Sequence, residues 1–290
     1  MPLYVWENLR EEEVAGVVEK TNATCVIPLG SIAKHGQHTP LGTDNFIAEG
    51  IIRKAAQIES ICLFPTLWMG CASEPYAHAG QINLSRPLMH EMLEQVVAEV
   101  GRNGFYRIVI ANANGDNGMM LTNFLRSQGM YKKNYYLYSK RVFDYNVDAL
   151  VRDLDAGEDF PTLTEEDKAL VREIHDHHIP YGHAGLYQTS VLMALRPDLV
   201  RLDRATVDSG ASTGKGDYLQ KVFLNGSGLN FPNGVVGHNP QCANERLGNV
   251  FVDKEVERFV KALRVIKNEK DMPGRIEEIS ASRPYIYNPR

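Results

Sequence analysis

Residues 25–44 read CVIPLGSIAKHGQHTPLGTD, and this stretch decides the fold class. It begins with the apolar run of residues 25–27, and Pro28 and Gly30 then end that run. The pattern is typical of a buried parallel strand that leads into a loop. In open α/β sheets, ligands bind at the carboxyl ends of the strands. The side chains that could converge there on one divalent metal ion are His35, His38 and Asp44.

The rest of the chain alternates between strand and helix patterns. Strands are predicted at residues 61–64, 107–110 and 135–142, and helices at residues 9–20, 46–58, 89–103, 117–127, 184–195 and 252–266. A further helix is predicted to begin at Thr164, which precedes three acidic residues, whereas residues 144–161 are predicted to lie on the surface. This order predicts a three-layer α/β/α fold with a mostly parallel central sheet, and one domain over residues 1–290.

Composition limits the classes of function. The formal net charge is −5 and charged residues make up 23% of the chain, so there is no basic field to attract nucleic acid or an anionic membrane. The four cysteines are scattered without a CxxC pair, which favours reduced thiols in a cytoplasmic protein. No secretory pattern and no membrane-spanning run is recognised. Chemistry on a small molecule therefore fits the composition best.

Several motifs together resemble one known family. PLGSIAKHGQHTPLGTD resembles GSxEQHGPHLPLGTD, the signature of the creatininase (creatinine amidohydrolase) family. Further blocks similar to that family follow in its order: AHAGQINLS, GFYRIVIANANGDNG, GHAGLYQTS and NGVVGHNPQCANERLG. The resemblance implies a three-layer α/β fold, usually assembled as a homohexamer. It also implies a two-metal centre, typically zinc or manganese, that activates water to hydrolyse a small cyclic amide.

The metal ligands that the resemblance implies are only partly retained. Ala33 stands where the family has a glutamate, and Asn114 where it has a histidine. Alanine cannot coordinate a metal, and asparagine offers only a neutral oxygen. The remaining positions, His35, Asp44 and Asp116, keep ligand chemistry. The sequence therefore predicts one divalent ion per site, zinc or manganese, on those three residues, with Asn114 or Gln188 as a possible extra ligand.

Other residues of these motifs are predicted to act on the substrate. His183 is the candidate general acid or base, and Asn114 and Gln188 are polar replacements of family residues that could take part in catalysis. His38 could contact the substrate or orient a metal ligand, and Asp44 could also cap the following helix. The candidate substrate-binding side chains are Lys34, His38, Trp68, Tyr76, His78 and Tyr181. The histidines at 175, 177 and 178 are expected at a solvated helix end.

The leading functional hypothesis is a metal-dependent hydrolase that opens a small cyclic carbonyl compound by adding water. The resembled family includes hydrolases of oxidised inositols such as 3-dehydro-scyllo-inosose. The resemblance and the loss of one metal position together make such a keto-inositol an attractive substrate, because a diketone is already electrophilic. Hydrolysis of a cyclic amide such as creatinine is the first alternative. A catalytically inactive homologue that binds a ligand is the second, and an epimerase or isomerase is the third. A homo-oligomer, hexameric by resemblance, is also expected.

Overall fold

A computed structural model describes residues 2–71, 78–129, 133–177, 182–207, 210–218 and 227–269. Its central feature is a sheet of parallel strands in the order β1-β3-β2-β4-β5. The strands are β1 (Tyr4–Val5), β2 (Thr24–Leu29), β3 (Cys62–Leu63), β4 (Arg107–Asn112) and β5 (Tyr136–Arg141). The predicted strands at residues 61–64, 107–110 and 135–142 are confirmed, and within the described residues the sheet is entirely parallel.

Strands β2 and β4 lie next to each other inside the sheet, and every one of their residues is buried. Their register pairs Cys25 with Ile108 and continues to Leu29 beside Asn112. Alternate residues of β2 enter opposite hydrophobic clusters: Cys25 belongs to one and Val26 to the other. A strand buried on both faces is expected when helices cover both sides of the sheet.

Helices do cover both faces. They are α1 (Val14–Lys20), α2 (Thr43–Ile58), α3 (Arg86–Arg102), α4 (Asn117–Gln128), α5 (Val147–Asp155), α6 (Glu165–Asp176), α7 (Leu186–Leu195), α8 (Ser227–Asn230) and α9 (Glu245–Asn268). Buried residues of α1, α3 and α4 form the cluster on one face, and those of α2, α5, α6, α7 and α9 form the cluster on the other. The predicted three-layer α/β/α architecture is confirmed. No helix within the described ranges is long and apolar enough to cross a membrane.

Two helix predictions are wrong at their starts by more than one helical turn. The helix predicted from residue 9 begins as α1 only at Val14, after a 3₁₀ turn at Glu11–Glu13. The helix predicted from residue 252 begins earlier, at Glu245, because the Asn244 side chain accepts a hydrogen bond from the Leu247 amide and caps α9. By contrast, the predicted start at Thr164 is confirmed by a capping box.

The prediction that residues 144–161 lie on the surface is wrong. Helix α5 occupies the middle of this segment, and Leu150 is fully buried in the core. The Asn146 side chain caps the helix by accepting from the Ala149 amide. The acidic residues of α5 lie mainly on its outer face. Because they are numerous, the helical spacing of the apolar residues is hard to recognise in the sequence.

The register of the sheet determines where the functional loops lie. Because Leu29 pairs with Asn112 at the ends of β2 and β4, the loops that follow both strands leave the sheet at the same edge. The first loop leads into α2 and the second into α4. This is the edge at which parallel α/β sheets bind ligands.

Glu255 is a buried carboxylate that supports the α9 face of the core. Its Oε1 accepts hydrogen bonds from the amides of Asp144, at 2.6 Å, and Tyr145, at 3.0 Å. We expect Glu255→Ala to lower the free energy of unfolding by about 2 kcal/mol, because two amides would lose their partner. Glu257→Ala is the matched control: its side chain is 73% exposed, and we expect a change within about 0.5 kcal/mol. Urea denaturation measures both, and equal losses would contradict the role of Glu255.

Candidate active site

The candidate site is built around the carboxylate of Asp44, which lies in the first turn of α2 and is 1% exposed. Its Oδ1 accepts from His35 Nε2 at 3.0 Å and from Gln188 Nε2 at 3.3 Å. Its Oδ2 accepts from Ser31 Oγ at 2.8 Å and from Asn114 Nδ2 at 2.8 Å. Asp44 does not cap α2 through its side chain, since the N-cap is Gly42. These contacts join the loops after β2 and β4 to the start of α7.

Backbone amides fix the orientation of both side-chain amides. Asn114 Oδ1 accepts from the backbone N–H groups of Asp116, at 2.9 Å, and Asn117, at 3.1 Å. Gln188 Oε1 accepts from the backbone N–H of Ala184 at 2.6 Å. A backbone N–H can only donate, so each amide oxygen must face it. The NH2 group of each amide therefore points at Asp44.

Both ring nitrogens of His35 face acceptors. Nδ1 lies 3.0 Å from the carbonyl oxygen of Ala33, and Nε2 lies 3.0 Å from Asp44 Oδ1. Burial by itself lowers the pKa of His35, but the charge of Asp44 and these two hydrogen bonds outweigh it and raise that pKa. Burial by itself raises the pKa of Asp44, but His35 outweighs it and lowers that pKa. The two residues form a buried imidazole–carboxylate pair in which each side chain favours the charged form of the other.

His183 lies against this pair. Its ring centroid is 4.0 Å from that of His35, with a tilt of 34° between the rings. Its Nε2 donates to the carbonyl oxygen of Lys34 at 2.8 Å, which leaves the lone pair of the neutral ring on Nδ1. Burial and the positive charge of His35 lower the pKa of His183 to about 4. Among the described residues, Nδ1 of His183 has no hydrogen-bond partner.

The loop before α7 holds His183 through close backbone packing. A side chain at Gly182 would meet the Val236 carbonyl oxygen at 1.5 Å, so only glycine allows this approach. The Val236 amide donates to the His183 carbonyl oxygen at 2.8 Å. Ala184 has φ +54°, a conformation uncommon for residues other than glycine, and in it the Ala184 amide reaches Gln188. The motif GHAG is thus a geometric requirement for placing His183 and Gln188.

His38 is buried and contacts protein groups at the start of α7, so its predicted contact with the substrate stays a prediction. It is 1% exposed, and its Nε2 lies 3.1 Å from the Ala184 carbonyl oxygen and 2.9 Å from Thr189 Oγ1. The ring therefore ties the loop after β2 to the start of α7.

The other predicted substrate-binding residues have different surroundings. Lys34 is half-buried, and its Nζ donates to the Pro232 carbonyl oxygen at 3.3 Å. Burial and the charge of Lys34 lower the pKa of His78. Trp68 is 38% exposed and packs edge-on against Phe46. The remaining two predicted residues lie outside the described residues: Tyr76 and Tyr181.

The described histidines at the end of α6 agree with the expected solvated helix end. His175 Nδ1 lies 2.8 Å from Asp148 Oδ1, and the side chain of His175 is 37% exposed. His177 Nδ1 donates to the Glu173 carbonyl oxygen at 2.8 Å. His178 is outside the described residues.

Sequence reasoning missed the supporting polar residues. Ser31 is completely buried and donates to Asp44. Asn117 connects three segments, because Nδ2 donates to the Gly30 carbonyl oxygen at 2.9 Å and Oδ1 accepts from the Cys71 amide at 2.8 Å. The sequence did contain a signal for these residues: polar side chains follow closely after a buried strand, as Ser31 does after β2 and Asn117 does in the segment after β4.

The residues present do not fit the predicted metal ion. In the part of the chain that the structure describes, no group of three or more His, Cys, Asp or Glu side chains is arranged to hold one. Asp116 lies in the turn before α4 and affects the pKa of His183, but it does not join His35 and Asp44 as a third ligand. The four lone-pair positions of the Asp44 carboxylate already accept hydrogen bonds from protein side chains.

Comparisons with known proteins agree with this fold. The creatinine amidohydrolase family model, creatininase, matches residues 7–263. The creatinine amidohydrolase of Pseudomonas putida is 22% identical over 207 residues, which are 69% of this chain and 72% of that protein. The mycofactocin precursor peptide peptidase of Mycobacterium tuberculosis is 32% identical over 126 residues, which are 38% of this chain and 48% of that protein.

Solved structures show the same architecture. A manganese form of creatininase has a TM-score of 0.71 at 20% identity, covering 92% of this chain and 100% of the solved one. A zinc–zinc form of a mutant creatininase has a TM-score of 0.71 at 21% identity, with the same coverage. At these identities the similarity to solved structures concerns the fold. The family model matches most of the chain, and the chain therefore belongs to the creatininase family of hydrolases.

Proposed function

We propose that the chain hydrolyses a small cyclic carbonyl compound and that His183 is its general base. The observation that carries the proposal is the fixed tautomer of His183: Nε2 donates to Lys34, so the unprotonated Nδ1 is the nitrogen that can accept a proton. The ring is half-buried and lies beside His35 at the carboxyl edge of the sheet.

The proton balance of the reaction follows from this arrangement. Nδ1 of His183 takes a proton from water while the water oxygen bonds to the substrate carbonyl carbon. The ring bond to that carbon then breaks, and the leaving atom receives the proton from His183. The net change is the addition of one water, and the base returns to its neutral form.

The low pKa of His183 restricts the substrate class. A base with a pKa of about 4 is fully unprotonated near neutral pH, but it is a weak proton acceptor. Such a base suits a substrate with an electrophilic carbonyl and a leaving group that stabilises negative charge. A ring diketone of the keto-inositol type, such as 3-dehydro-scyllo-inosose, meets both conditions, so it is our first candidate.

A cyclic amide is the second candidate substrate. Its support is the family itself and the Pseudomonas relative named as a creatinine amidohydrolase. The mycobacterial relative is named as a peptidase, which brings peptide amides into the range to be tested. The homohexamer and the cytoplasmic location stay predictions of the sequence; light scattering of purified protein tests the former.

A substrate panel tests the reaction class. We expect purified protein to add one water to a keto-inositol, detected as the product mass and as ¹⁸O incorporated from labelled water. Cyclic amides, lactones and short peptides complete the panel. A rearranged product of unchanged mass would contradict hydrolysis and favour an epimerase. Ligand binding without turnover would favour the inactive-homologue alternative.

Replacement of the base tests the role of His183. We expect His183→Ala to reduce kcat/KM on the hydrolysed panel compound by about 10²–10⁴-fold, the range for a lost general base. His177→Ala is the matched control, because that histidine lies at the solvated end of α6, and its kcat/KM should be unchanged. Similar rates for wild type and His183→Ala, with both proteins folded by circular dichroism, would refute the assignment.

The pH profile gives an independent test. The base must be unprotonated, so activity is present above its pKa and is lost as pH falls through it. With the pKa of His183 near 4, kcat/KM should be flat around neutral pH and should fall only near pH 4. Circular dichroism at each pH separates this loss from unfolding. A midpoint near the ordinary histidine value of about 6.5 would contradict the proposed electrostatics.

A further inference from the structure

The two solved creatininases described above are a zinc–zinc form and a manganese form. In this chain, Asp44 is the aspartate that the family resemblance implies as a metal ligand. We infer that Asp44 holds no divalent metal ion in this protein, and that a network of side-chain donors occupies the positions in which an ion would bind. The inference does not depend on which substrate is hydrolysed.

The first step of the argument is the count of acceptor positions on Asp44. A carboxylate has about four lone-pair positions. Each Asp44 oxygen accepts two hydrogen bonds, from His35 and Gln188 on Oδ1 and from Ser31 and Asn114 on Oδ2. A metal ion could bind this carboxylate only after one of these donors had moved away.

The second step is that two of the four donors are held in place by the backbone. Asn114 cannot turn its oxygen toward Asp44 without leaving two amides at the start of α4 unpaired. Gln188 cannot turn without unpairing the Ala184 amide. A buried donor without an acceptor is unfavourable, so both orientations are strongly held. The positively polarised NH2 groups therefore remain where a cation would have to approach.

The third step concerns His35, the one imidazole in contact with Asp44. A metal ligand must offer a nitrogen lone pair, and both ring nitrogens of His35 already have a hydrogen-bonding partner within the protein. Nδ1 faces the Ala33 carbonyl oxygen and Nε2 faces Asp44 Oδ1, and both partners only accept hydrogen bonds. Ala33 itself has no side-chain donor atom. The contacts of His35, like those of Asp44, thus leave no open position for a metal ion.

The experiment is a measurement of metal content on the full chain. Protein is purified from cells grown with added zinc or manganese, incubated with either ion and dialysed, and the ions per chain are measured by plasma mass spectrometry. We expect wild type to retain no stoichiometric ion, and chelator to leave its Tm unchanged. A bound ion would instead stabilise the fold, and its removal would lower Tm by about 4 °C or more.

Two variants decide where any retained ion is bound. An ion held at about one per chain and lost in Asp44→Asn would overturn the inference. An ion that is lost in a His175→Ala/His177→Ala double variant but kept in Asp44→Asn would be bound on the surface near α6. This result would agree with the inference. Because metal content is read without a substrate, failure of the proposed hydrolase activity would be seen separately.

Discussion

The site depends on the burial of one carboxylate. Asp44 is almost completely removed from water, and an ionised group in such a position must be paired and hydrogen-bonded. Its partners come from the loop after β2, the loop after β4 and the first turn of α7. The same interaction that satisfies the charge therefore holds three segments at the carboxyl edge of the sheet.

The electrostatics of the site follow from that pairing. Asp44 raises the pKa of His35, and burial together with the charge of His35 lowers the pKa of the neighbouring His183. Two imidazoles whose ring centroids lie 4.0 Å apart thus have pKa values shifted in opposite directions, the arrangement on which our proposal of His183 as the base rests. The difference arises from their hydrogen-bond partners, since the residue type is the same.

The departures from the family pattern also act together. If a metal were lost with no other change, Asp44 would be left as a buried anion without full compensation, at a cost of several kcal/mol. The amides of Asn114 and Gln188 supply donors to the carboxylate, while their oxygens bind backbone amides of their own segments. Neutral residues at these positions therefore stabilise the site. A change at only one of them would leave a donor or an acceptor unpaired.

Much of this protein could be read from its sequence. The buried runs of β2 and β4, the turn residues after them and the five family motifs determined the three-layer fold and the membership of His35, Asp44, Asn114, His183 and Gln188 in one site. Helix α5 was not predicted because acidic residues mask its apolar stripe, and the burial of His38 could not be predicted because a motif does not show burial.

The sequence by itself determined which chemical groups meet at the edge of the sheet, because each of the motifs that carry them follows a locally recognisable strand or precedes a helix, in the order of the resembled family. Only the tertiary structure decided what those groups do. Whether an amide presents its oxygen or its NH2 group to Asp44 depends on backbone donors in α4 and before α7, and the tautomer of His183 depends on a carbonyl 149 residues away in the chain. Hydrogen bonds between distant segments set those choices, and no local pattern contains them.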